Sequence, residues 1–363
     1  MEASGRVGIL YNGGMMSNSM DDQLNGDPVP WLLEQDRVNP GIRLFALKEL
    51  SGVPDGEPAV RIAQEEVMAS GPVPIILENQ HPDGYWVKPG YLPKYRGTMW
   101  SIIFLAQLGA DGRDPRIRKA CEHLFDYSTA IHGGLSMDGR NSGLIHCLQG
   151  NLCAALIDLG YLGDERLVRA LDWLARSITG EGIAPNTEKS APVHYLRSGN
   201  SAPGFECSAN GHNPCAWGGI KAMLALSKVA EEDRTPAMER AVETGIAFLL
   251  GRDPAQADYP MGYSSKPNRS WFKFGYPIGY VTDVLQNLEV LTALGYGRDP
   301  RLQHGLDMVL GKQDGQGRWT MGYTYNGKTW VDVEVKGEPS KWVTLRALRV
   351  LTRAGLVTAE SGR

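Results

Sequence analysis

The stretch Glu206–Cys215, ECSANGHNPC, brings two thiols and one imidazole close together in the chain. Thiolate and imidazole are ligands that zinc prefers, and His212 and Cys215 are spaced so that both can reach one ion. Cys147, which begins a helical stretch earlier in the chain, is a fourth candidate. The pattern predicts a zinc site with Cys147, Cys207, His212 and Cys215 as ligands. The alternative is a set of ordinary buried or loop residues, because free cysteine often acts as a small apolar side chain.

The remaining cysteines are separated from this group by their positions on predicted helices. Cys153 lies roughly 240° around a helix from Cys147, so the two thiols cannot face one ion. Cys121 sits among charged residues of an amphipathic stretch. The first residues of the chain lack a basic segment followed by a long apolar one, and the five cysteines are an odd number. Both observations indicate reduced thiols, and we therefore expect a cytoplasmic protein.

Further residues are candidates for proton transfer. If a helix covers residues 278–294, Tyr280 and Asp283 share one of its faces. Asp283 is then a candidate general acid or base, provided that burial raises its pKa, with Tyr280 beside it. The alternative is that Asp283 complements the dipole at the start of this helix. His132 and His146 flank a glycine-rich turn, and they either reach the site or are ordinary surface groups.

Helical stretches with a common pattern recur along the chain. Phe104–Phe125, Ala155–Ala175 and Leu291–Leu310 each contain an apolar helix ending at Leu-Gly, then an Asp, then a second amphipathic helix. Glycine suits the left-handed position after a helix, and Asp caps the next one. The pattern predicts hairpins whose first helices cover 41–50, 97–109, 147–160, 214–228, 278–294 and 340–353. The second helices are predicted at 58–70, 114–127, 164–177, 236–250 and 300–311, with 21–36 closing a ring of about six pairs.

Composition limits the remaining possibilities. The 363-residue chain is 42% apolar and carries a net charge of -4, which argues against binding to nucleic acid or to a membrane surface. Its longest apolar runs are too short to cross a bilayer. No linker divides the repeats, so we expect one domain over residues 21–363 after a disordered tail at 1–20. Sheet is expected only as a short hairpin near 318–334, with Asp332 and Glu334 on a solvated arm. Nothing in the sequence predicts an oligomeric state.

Two segments outside the predicted helices repeat each other. Gln80–Trp86, QHPDGYW, and Gln313–Trp319, QDGQGRW, each contain Gln, a turn glycine and Trp. Either copy alone could be an ordinary turn with a packed aromatic residue. The first copy is similar to the Gln-x-x-Asp-Gly-x-Trp repeat of squalene-type cyclases, and the second matches it less fully. Over residues 75–354 the chain resembles the terpenoid cyclase and protein prenyltransferase superfamily, most of all its short bacterial proteins labelled with the prenyltransferase and squalene oxidase repeat. This resemblance implies an all-α (α/α)6 toroid.

The resemblance also implies where a site would lie. In such a toroid the first helices of the pairs run parallel around the inside, so the loops that lead into them gather at one end. Helix N-termini at that end favour thiolates and anionic ligands. We therefore expect one cavity there, lined by polar and aromatic residues. The predicted substrate-binding residues are Tyr95, Trp100, Trp217, Tyr276 and Trp342, together with Tyr280.

Three hypotheses of function stay open. The first is a zinc-dependent enzyme that hydrolyses, transfers or cyclises a small, largely apolar substrate, such as an isoprenoid, in the central cavity. Protein prenyltransferases and lanthipeptide cyclases hold zinc in similar rings, although this sequence reproduces neither ligand motif. The second is a metal-free, acid-initiated terpene-type cyclase that uses Asp283, which the lack of an Asp-x-Asp-Asp string disfavours. The third is a non-catalytic, ligand-binding toroid with a structural zinc. Three zinc ligands would favour catalysis, and four would favour a structural role.

Overall fold

The computed structural model describes residues 23–181 and 200–357. The predicted tail, residues 1–20, lies outside this range. The helices in chain order are α1 (Val29–Leu33), α2 (Gly41–Phe45, continued by a π-helix at Ala46–Leu50), α3 (Pro58–Ala69), α4 (Pro72–Glu78), α5 (Thr98–Gln107), α6 (Pro115–Ser128), α7 (His146–Asp158), α8 (Glu165–Thr179), α9 (Ala216–Leu226), α10 (Pro236–Leu249), α11 (Val284–Ala293), α12 (Gln303–Leu310) and α13 (Lys341–Arg353).

Six of these helices form a closed inner ring in the order α2, α5, α7, α9, α11 and α13. Helix α13 packs against both α11 and α2, and Gly41 in α2 lies against Leu108 at the end of α5, so the ring closes. Helices α3, α6, α8, α10 and α12 pack outside it, and α1 contacts both α2 and α13. The predicted all-α (α/α)6 toroid is therefore confirmed, and the segment 21–36 contributes α1 at the point of closure.

The start of α11 differs from the sequence prediction. Asp283 is the residue before the helix, and its side chain accepts a hydrogen bond from the backbone N–H of Gln286. An aspartate that accepts this hydrogen bond caps the helix. Its own backbone is extended, and the first helical turn starts at the next residue. The helix therefore begins at Val284 and not at residue 278. Tyr280 lies in the preceding loop, so the prediction that Tyr280 and Asp283 share one helix face is wrong.

The strands also differ from the prediction. Strands β1 (Ser201–Ala202), β2 (Glu206–Cys207) and β3 (Asn213–Pro214) form an antiparallel sheet that the sequence analysis did not predict. Strand β4 (Trp319–Thr320) pairs with β5 (Pro339–Ser340) rather than within a hairpin at 318–334. Strands of two residues are too short to give an alternating pattern of apolar and polar side chains.

Glu334 was predicted on a solvated arm, and this prediction is wrong. Its carboxylate accepts hydrogen bonds from the Ser340 hydroxyl and, at 2.8 Å, from the backbone N–H of Lys341 at the start of α13. Burial raises the pKa of Glu334 above its usual value. Asp332 is exposed and accepts a hydrogen bond from the Gly327 N–H at 2.7 Å. The segment before α13 is therefore held to that helix by one carboxylate.

The two Gln-to-Trp segments make the same contacts at two places in the ring. In the first copy the indole N–H of Trp86 donates to Ile76 O in α4 at 2.7 Å, and its backbone N–H donates to the Thr98 hydroxyl of α5 at 3.1 Å. In the second copy the indole of Trp319 donates to a carbonyl of α12 at 2.7 Å, and its backbone N–H donates to Thr344 of α13 at 3.0 Å. Each segment thus joins the end of one helix to the next inner helix.

The inner helices α7 and α9 approach each other closely. A Cβ atom at Gly150 of α7 would lie 2.2 Å from the backbone carbonyl of Lys221 in α9. Only glycine, which has no side chain, fits at such a distance. This contact sets the spacing of the two helices and of the residues that begin them. None of the helices described above has both the length and the apolar character needed to cross a membrane.

The replacement Gly150→Ala is expected to lower the free energy of unfolding by about 1–3 kcal/mol or more, because the added methyl group must push α7 and α9 apart. Chemical denaturation measures this loss. The control is Gly56→Ala, where a Cβ atom meets no other atom within 4 Å and the backbone is not left-handed. Equal stabilities of the two variants would show that the helix contact does not limit the fold.

Candidate functional site

A cavity of about 170 Å³, here called the thiol cavity, lies at the N-terminal ends of α7 and α9. Its walls are formed by the first residues of these two helices, by strand β2 with the turn that follows it, and by the loops around residues 259–263 and 271–280. Most of the wall is apolar or aromatic. The aromatic lining residues are Trp217, Tyr259, Tyr263, Trp271 and Tyr280.

Three cysteines contribute to the wall of the thiol cavity. Cys147 lies in the first turn of α7, Cys215 is the residue before α9, and Cys207 ends β2. The N–H of Cys215 donates to Phe205 O at 2.8 Å, which extends the pairing of β2 and β3 and holds Cys215 beside Cys207. The small sheet and the two neighbouring helix starts therefore bring the three thiols together.

Cys207 and Cys215 influence each other's ionisation. The neighbouring Cys215 thiol, together with backbone N–H groups of Ala209 and Asn210, lowers the pKa of Cys207 to about 6, and the nearby His212 contributes in the same direction. The Cys207 thiol and burial raise the pKa of Cys215. Of the two, Cys207 is therefore the one that gives up its proton more readily.

Cys147 has a different protonation state from Cys207. Burial raises the pKa of Cys147 to about 11, and the Tyr280 hydroxyl, which lines the same cavity, opposes this shift. Burial also raises the pKa of Tyr280, so this hydroxyl keeps its proton. Lys94 lies over the ring of Tyr280, with its Nζ 5.0 Å from the ring centroid. The Cys147 side of the cavity therefore carries a neutral thiol and a neutral phenol.

His212 is not among the residues that line the thiol cavity with the three thiols. Its Nδ1 lies 2.8 Å from Glu206 Oε1, and its side chain is 63% exposed. Within residues 23–181 and 200–357, no group of three or more His, Cys, Asp or Glu side chains is arranged to hold a metal ion. The zinc site stays a prediction, with Cys147, Cys207 and Cys215 on one wall and His212 outside it.

Asp283 is enclosed by partners. Its carboxylate accepts hydrogen bonds from the backbone N–H groups of Gln286 at 2.7 Å and Gly275 at 3.1 Å. Arg346 of α13 donates to both of its oxygens, and the same guanidinium binds Glu289 at 2.7 Å. These contacts favour the alternative in which Asp283 caps a helix, over a general acid with a free oxygen.

His146 lies behind the thiol cavity and not on its lining. Its Nε2 is 2.8 Å from the Ser177 hydroxyl, and its backbone N–H donates to Ser201. Burial lowers the pKa of His146 to about 4, so the ring is neutral near pH 7. These contacts tie α7 to α8 and to β1. A catalytic role for His146 stays a prediction.

The predicted substrate-binding aromatics occupy more than one place. Trp217 lines the thiol cavity together with Tyr280. Trp100 is buried against Tyr280, with ring centroids 5.7 Å apart, and Tyr95 packs on Trp100 at 5.2 Å. Tyr276 and Trp342 instead stack on each other at 4.0 Å, away from this lining. The six residues thus do not line one cavity, because Tyr276 lies against Trp342 while Tyr280 of the same loop lines the thiol cavity.

A second cavity of about 390 Å³, here called the axial cavity, touches all six inner helices near their C-terminal ends. Tyr276 lines it. Unlike the thiol cavity, it is rich in charged residues, and many of these pair with each other, such as Arg346 with Glu289 and Lys228 with Asp158, both at 2.7 Å. The centre of the ring is therefore polar, and the apolar cavity lies at one end of it.

One polar group inside the ring was not predicted from the sequence. Lys221 of α9 is fully buried, and its Nζ donates to Gln286 Oε1, which also accepts from Thr282. Burial lowers the pKa of Lys221 to about 7. A single lysine within the apolar sequence AWGGIKAMLAL was a signal that could have identified it. Cys121 lies on the outer helix α6 and is buried.

Comparison with solved structures finds chains of low similarity. A type II terpene cyclase, MstE from Scytonema, has 15% identity and a TM-score of 0.33, with 78% of this chain and 96% of that chain covered. A variant of MstE in complex with geranylgeranyl dihydroxybenzoate, its substrate, gives 15% identity and a TM-score of 0.35 over 78% and 96%. An unsaturated glucuronyl hydrolase specific for heparin has 11% identity and a TM-score of 0.49 over 88% and 86%.

Comparison with protein-family models gives no match, and comparison with curated proteins gives none either. The structural likenesses are too weak to carry an argument about activity. What defines this chain is its own geometry, which is an α/α toroid with a thiol-bearing, aromatic cavity at the N-terminal ends of two inner helices.

The buried Lys221 is expected to make stability depend on pH. The unfolded lysine keeps its proton up to its usual pKa of 10.5, whereas the folded one, with its lowered pKa, loses it near pH 7. Between these values the unfolded chain binds more protons, so the free energy of unfolding rises with pH, by at most about 1.4 kcal/mol per pH unit. The variant Lys221→Met lacks this contribution. Urea denaturation of both proteins at pH 7, 8 and 9 measures the difference.

The matched control is Lys48→Met, because the Lys48 side chain is partly exposed and pairs with Asp55. The free energy of unfolding of this variant should change with pH in the same way as that of the wild type. A constant difference between wild type and Lys221→Met would contradict the assigned burial of a neutral lysine.

Proposed function

We propose that the protein is an enzyme that binds a small, largely apolar substrate in the thiol cavity and acts on it through the Cys207 thiolate. Isoprenoids are the substrate class that the sequence resemblance suggests. The observation that carries this proposal is the position of Cys207 and Cys215 in the wall of one aromatic cavity, where the pKa of Cys207 is lowered. A thiolate is a strong nucleophile, and a lowered pKa makes it available near neutral pH.

The residues around the pair fit the steps of a nucleophilic reaction. Cys207 Sγ would form a bond to an electrophilic carbon of the substrate while the bond to the leaving group breaks. Cys215, which holds the proton beside it, would pass that proton to the leaving group. The N–H groups of Ala209 and Asn210 hold the thiolate in place before the reaction. Transfer of a carbon group and hydrolysis through a covalent intermediate both follow this scheme.

The aromatic walls fit an apolar substrate. Trp217 and Trp271 lie on the same lining as the thiols, and Tyr263 is exposed beside them. Apolar rings bind apolar groups by excluding water, and dry surroundings strengthen the electrostatic contacts of a thiolate. The charged axial cavity is a poorer match to such a substrate, because paired ions would have to lose their water or their partners.

A zinc enzyme, or a toroid with a structural zinc, is the second candidate. Three thiols on one wall, two of them at helix starts, support it. Cys147 and Cys215 would have to lose their protons, and the three sulfurs would have to converge. His212 could join only by leaving Glu206. Three thiols alone would leave an open position, whereas His212 as a fourth ligand would close the site.

Alkylation tests the principal proposal. Iodoacetamide should label Cys207 at a rate that rises with pH around a midpoint near 6, whereas Cys147, whose pKa is raised to about 11, should react slowly below pH 8. Peptide mass spectrometry measures each site separately. Farnesol, an apolar isoprenoid alcohol, should slow the labelling of Cys207, because it fills the cavity, and glucuronic acid should not.

The variant Trp217→Ala should weaken the protection by farnesol about tenfold, because it removes a large apolar contact. The control Tyr127→Ala changes an exposed aromatic residue on α6 and should leave the protection unchanged. Labelling of Cys207 with a midpoint near that of an ordinary thiol, or protection that farnesol and glucuronic acid give equally, would contradict the proposal.

Metal analysis tests the second candidate. Protein purified under reducing conditions without chelator should then contain about one zinc per chain, and Cys215→Ser should release it. A structural ion would leave a less stable protein behind, whereas a catalytic one would cost activity first. Absence of zinc from the wild type under these conditions would remove this candidate without affecting the first.

A further inference from the structure

Three arginines of α13 line the axial cavity, Arg346, Arg349 and Arg353. They share one face of the helix, because residues three, four and seven positions apart lie on the same side. Arg346 donates hydrogen bonds to both oxygens of Asp283, and Arg349 Nη2 lies 2.9 Å from Glu49 Oε1. Two of the three guanidinium groups are therefore neutralised by carboxylates.

Arg353 differs from the other two arginines. Within the described residues it makes no hydrogen bond and no ion pair, and its exposed side chain lies where the axial cavity meets solvent. Although part of the side chain is exposed, desolvation and, after it, the positive charge of Arg349 lower the pKa of Arg353. Glu49 and Glu289 oppose these effects only in part, because each of them already binds another arginine. The cavity thus has one guanidinium group without a partner.

We infer that the axial cavity binds a small organic carboxylate, whose charged group pairs with Arg353 and whose apolar part lies among the inner helices. The fork of a guanidinium group matches the two oxygens of a carboxylate. Apolar side chains of four inner helices line the same cavity, namely Leu44, Ile103, Ala154 and Leu224. The volume of about 390 Å³ is in the range of pockets that hold small molecules.

The charges of the cavity favour a carboxylate over a phosphate. Only one guanidinium group lacks a partner, so a single negative charge balances it. A phosphate monoester carries a charge of about −2 near pH 7, and the carboxylates of Glu49, Asp158 and Glu289 already line the cavity. The second negative charge would therefore lie near like charges, which disfavours binding. A neutral molecule of the same shape would leave Arg353 without a partner.

The carboxylate site is distinct from the thiol cavity, because no described residue lines both cavities. The segment 276–280 contributes Tyr276 and Ile278 to the axial cavity and Tyr280 to the thiol cavity. The Gln107 side chain of α5 holds this segment in place, since it binds both the N–H and the carbonyl oxygen of Ile278 at 2.7 Å. The carboxylate therefore binds apart from the thiols, and its binding does not depend on the chemistry proposed for them.

Fluorine NMR of a ligand, 4-fluorobenzoate, with the full chain tests this inference. The probe should bind, and hexanoate, a second carboxylate with an apolar body, should displace it. The neutral 4-fluorobenzamide should bind about tenfold more weakly, because it cannot form a charge-assisted pair with a guanidinium group.

Modification of arginine locates the bound probe. Phenylglyoxal, which reacts with free guanidinium groups, should modify Arg353, and 4-fluorobenzoate should slow this reaction. Arg37, which is exposed elsewhere on the chain, should react equally with and without the probe. Peptide mass spectrometry measures each site separately.

The variant Arg353→Gln should weaken the binding of 4-fluorobenzoate about tenfold, Arg353→Lys should restore part of it, and the control Arg37→Gln should bind like the wild type. Arg353 also lies in the last turn of α13, where a cation complements the helix dipole. If this were its only role, Arg353→Gln would lower the melting temperature and leave binding unchanged, and the inference would be wrong.

Three other results would overturn the inference: equal binding of the acid and the amide, tighter binding of 4-fluorophenyl phosphate, or no binding of either carboxylate. The protection of Cys207 by farnesol should be the same in Arg353→Gln as in the wild type, so the proposed function is judged separately.

Discussion

The backbone contact between Gly150 and Lys221 is the constraint on which the site depends. It lets α7 and α9 approach more closely than helices with side chains between them can. Because the two helices are neighbours in the ring and run side by side, their first residues also lie side by side. Cys147 and Cys215 are such residues. The sheet β1–β3 then only has to add Cys207 from one side. The irregular loop 200–215 can therefore place Cys207 beside the two thiols at the helix starts.

The ring separates two kinds of chemistry. The N-terminal ends of α7 and α9 present thiols and aromatic rings, whereas the C-terminal ends of the inner helices surround paired ions. Cationic side chains at C-terminal ends complement the helix dipoles there. Between the two lies the buried set of Lys221, Gln286 and Thr282, in which one amide oxygen accepts from both neighbours. Among the described residues that line the thiol cavity, none carries a charged basic or acidic side chain such as those of the axial cavity.

The fold was more predictable from the sequence than the site. Periodic apolar positions and Leu-Gly followed by Asp predicted the inner and outer helices, since helices are local and their signals span several turns. The repeated Gln-to-Trp segments were also informative, because both tryptophans make the same two hydrogen bonds. The proximity of Cys147 to Cys207 and Cys215 followed from the order of helices around the ring.

Features that depend on single contacts were missed. His212 was grouped with the thiols by its spacing, but an ionic partner one strand away, Glu206, binds its ring. The irregular stretch before α11 was predicted as helical, although Pro277 and Gly279 lie in it and Asp283 is itself a preferred capping residue. Aromatic side chains were assigned to one cavity because sequence shows which loops contain them but not the direction in which each ring points. Long-range partners such as Arg346 and Asp283 have no local signal at all.

The closure of the ring by α13 has a consequence for how the chain is made. Trp342 of α13 donates to the Asn39 side chain at 3.0 Å and packs against Phe45, and Asn25 binds Gln313 at 2.8 Å. Segments from opposite ends of the described chain thus complete one another. On the ribosome, α2 emerges long before the partner that covers it. During most of its synthesis the nascent protein is therefore an open arc with exposed apolar edges. Chaperones would bind these edges until Trp342 has been synthesised.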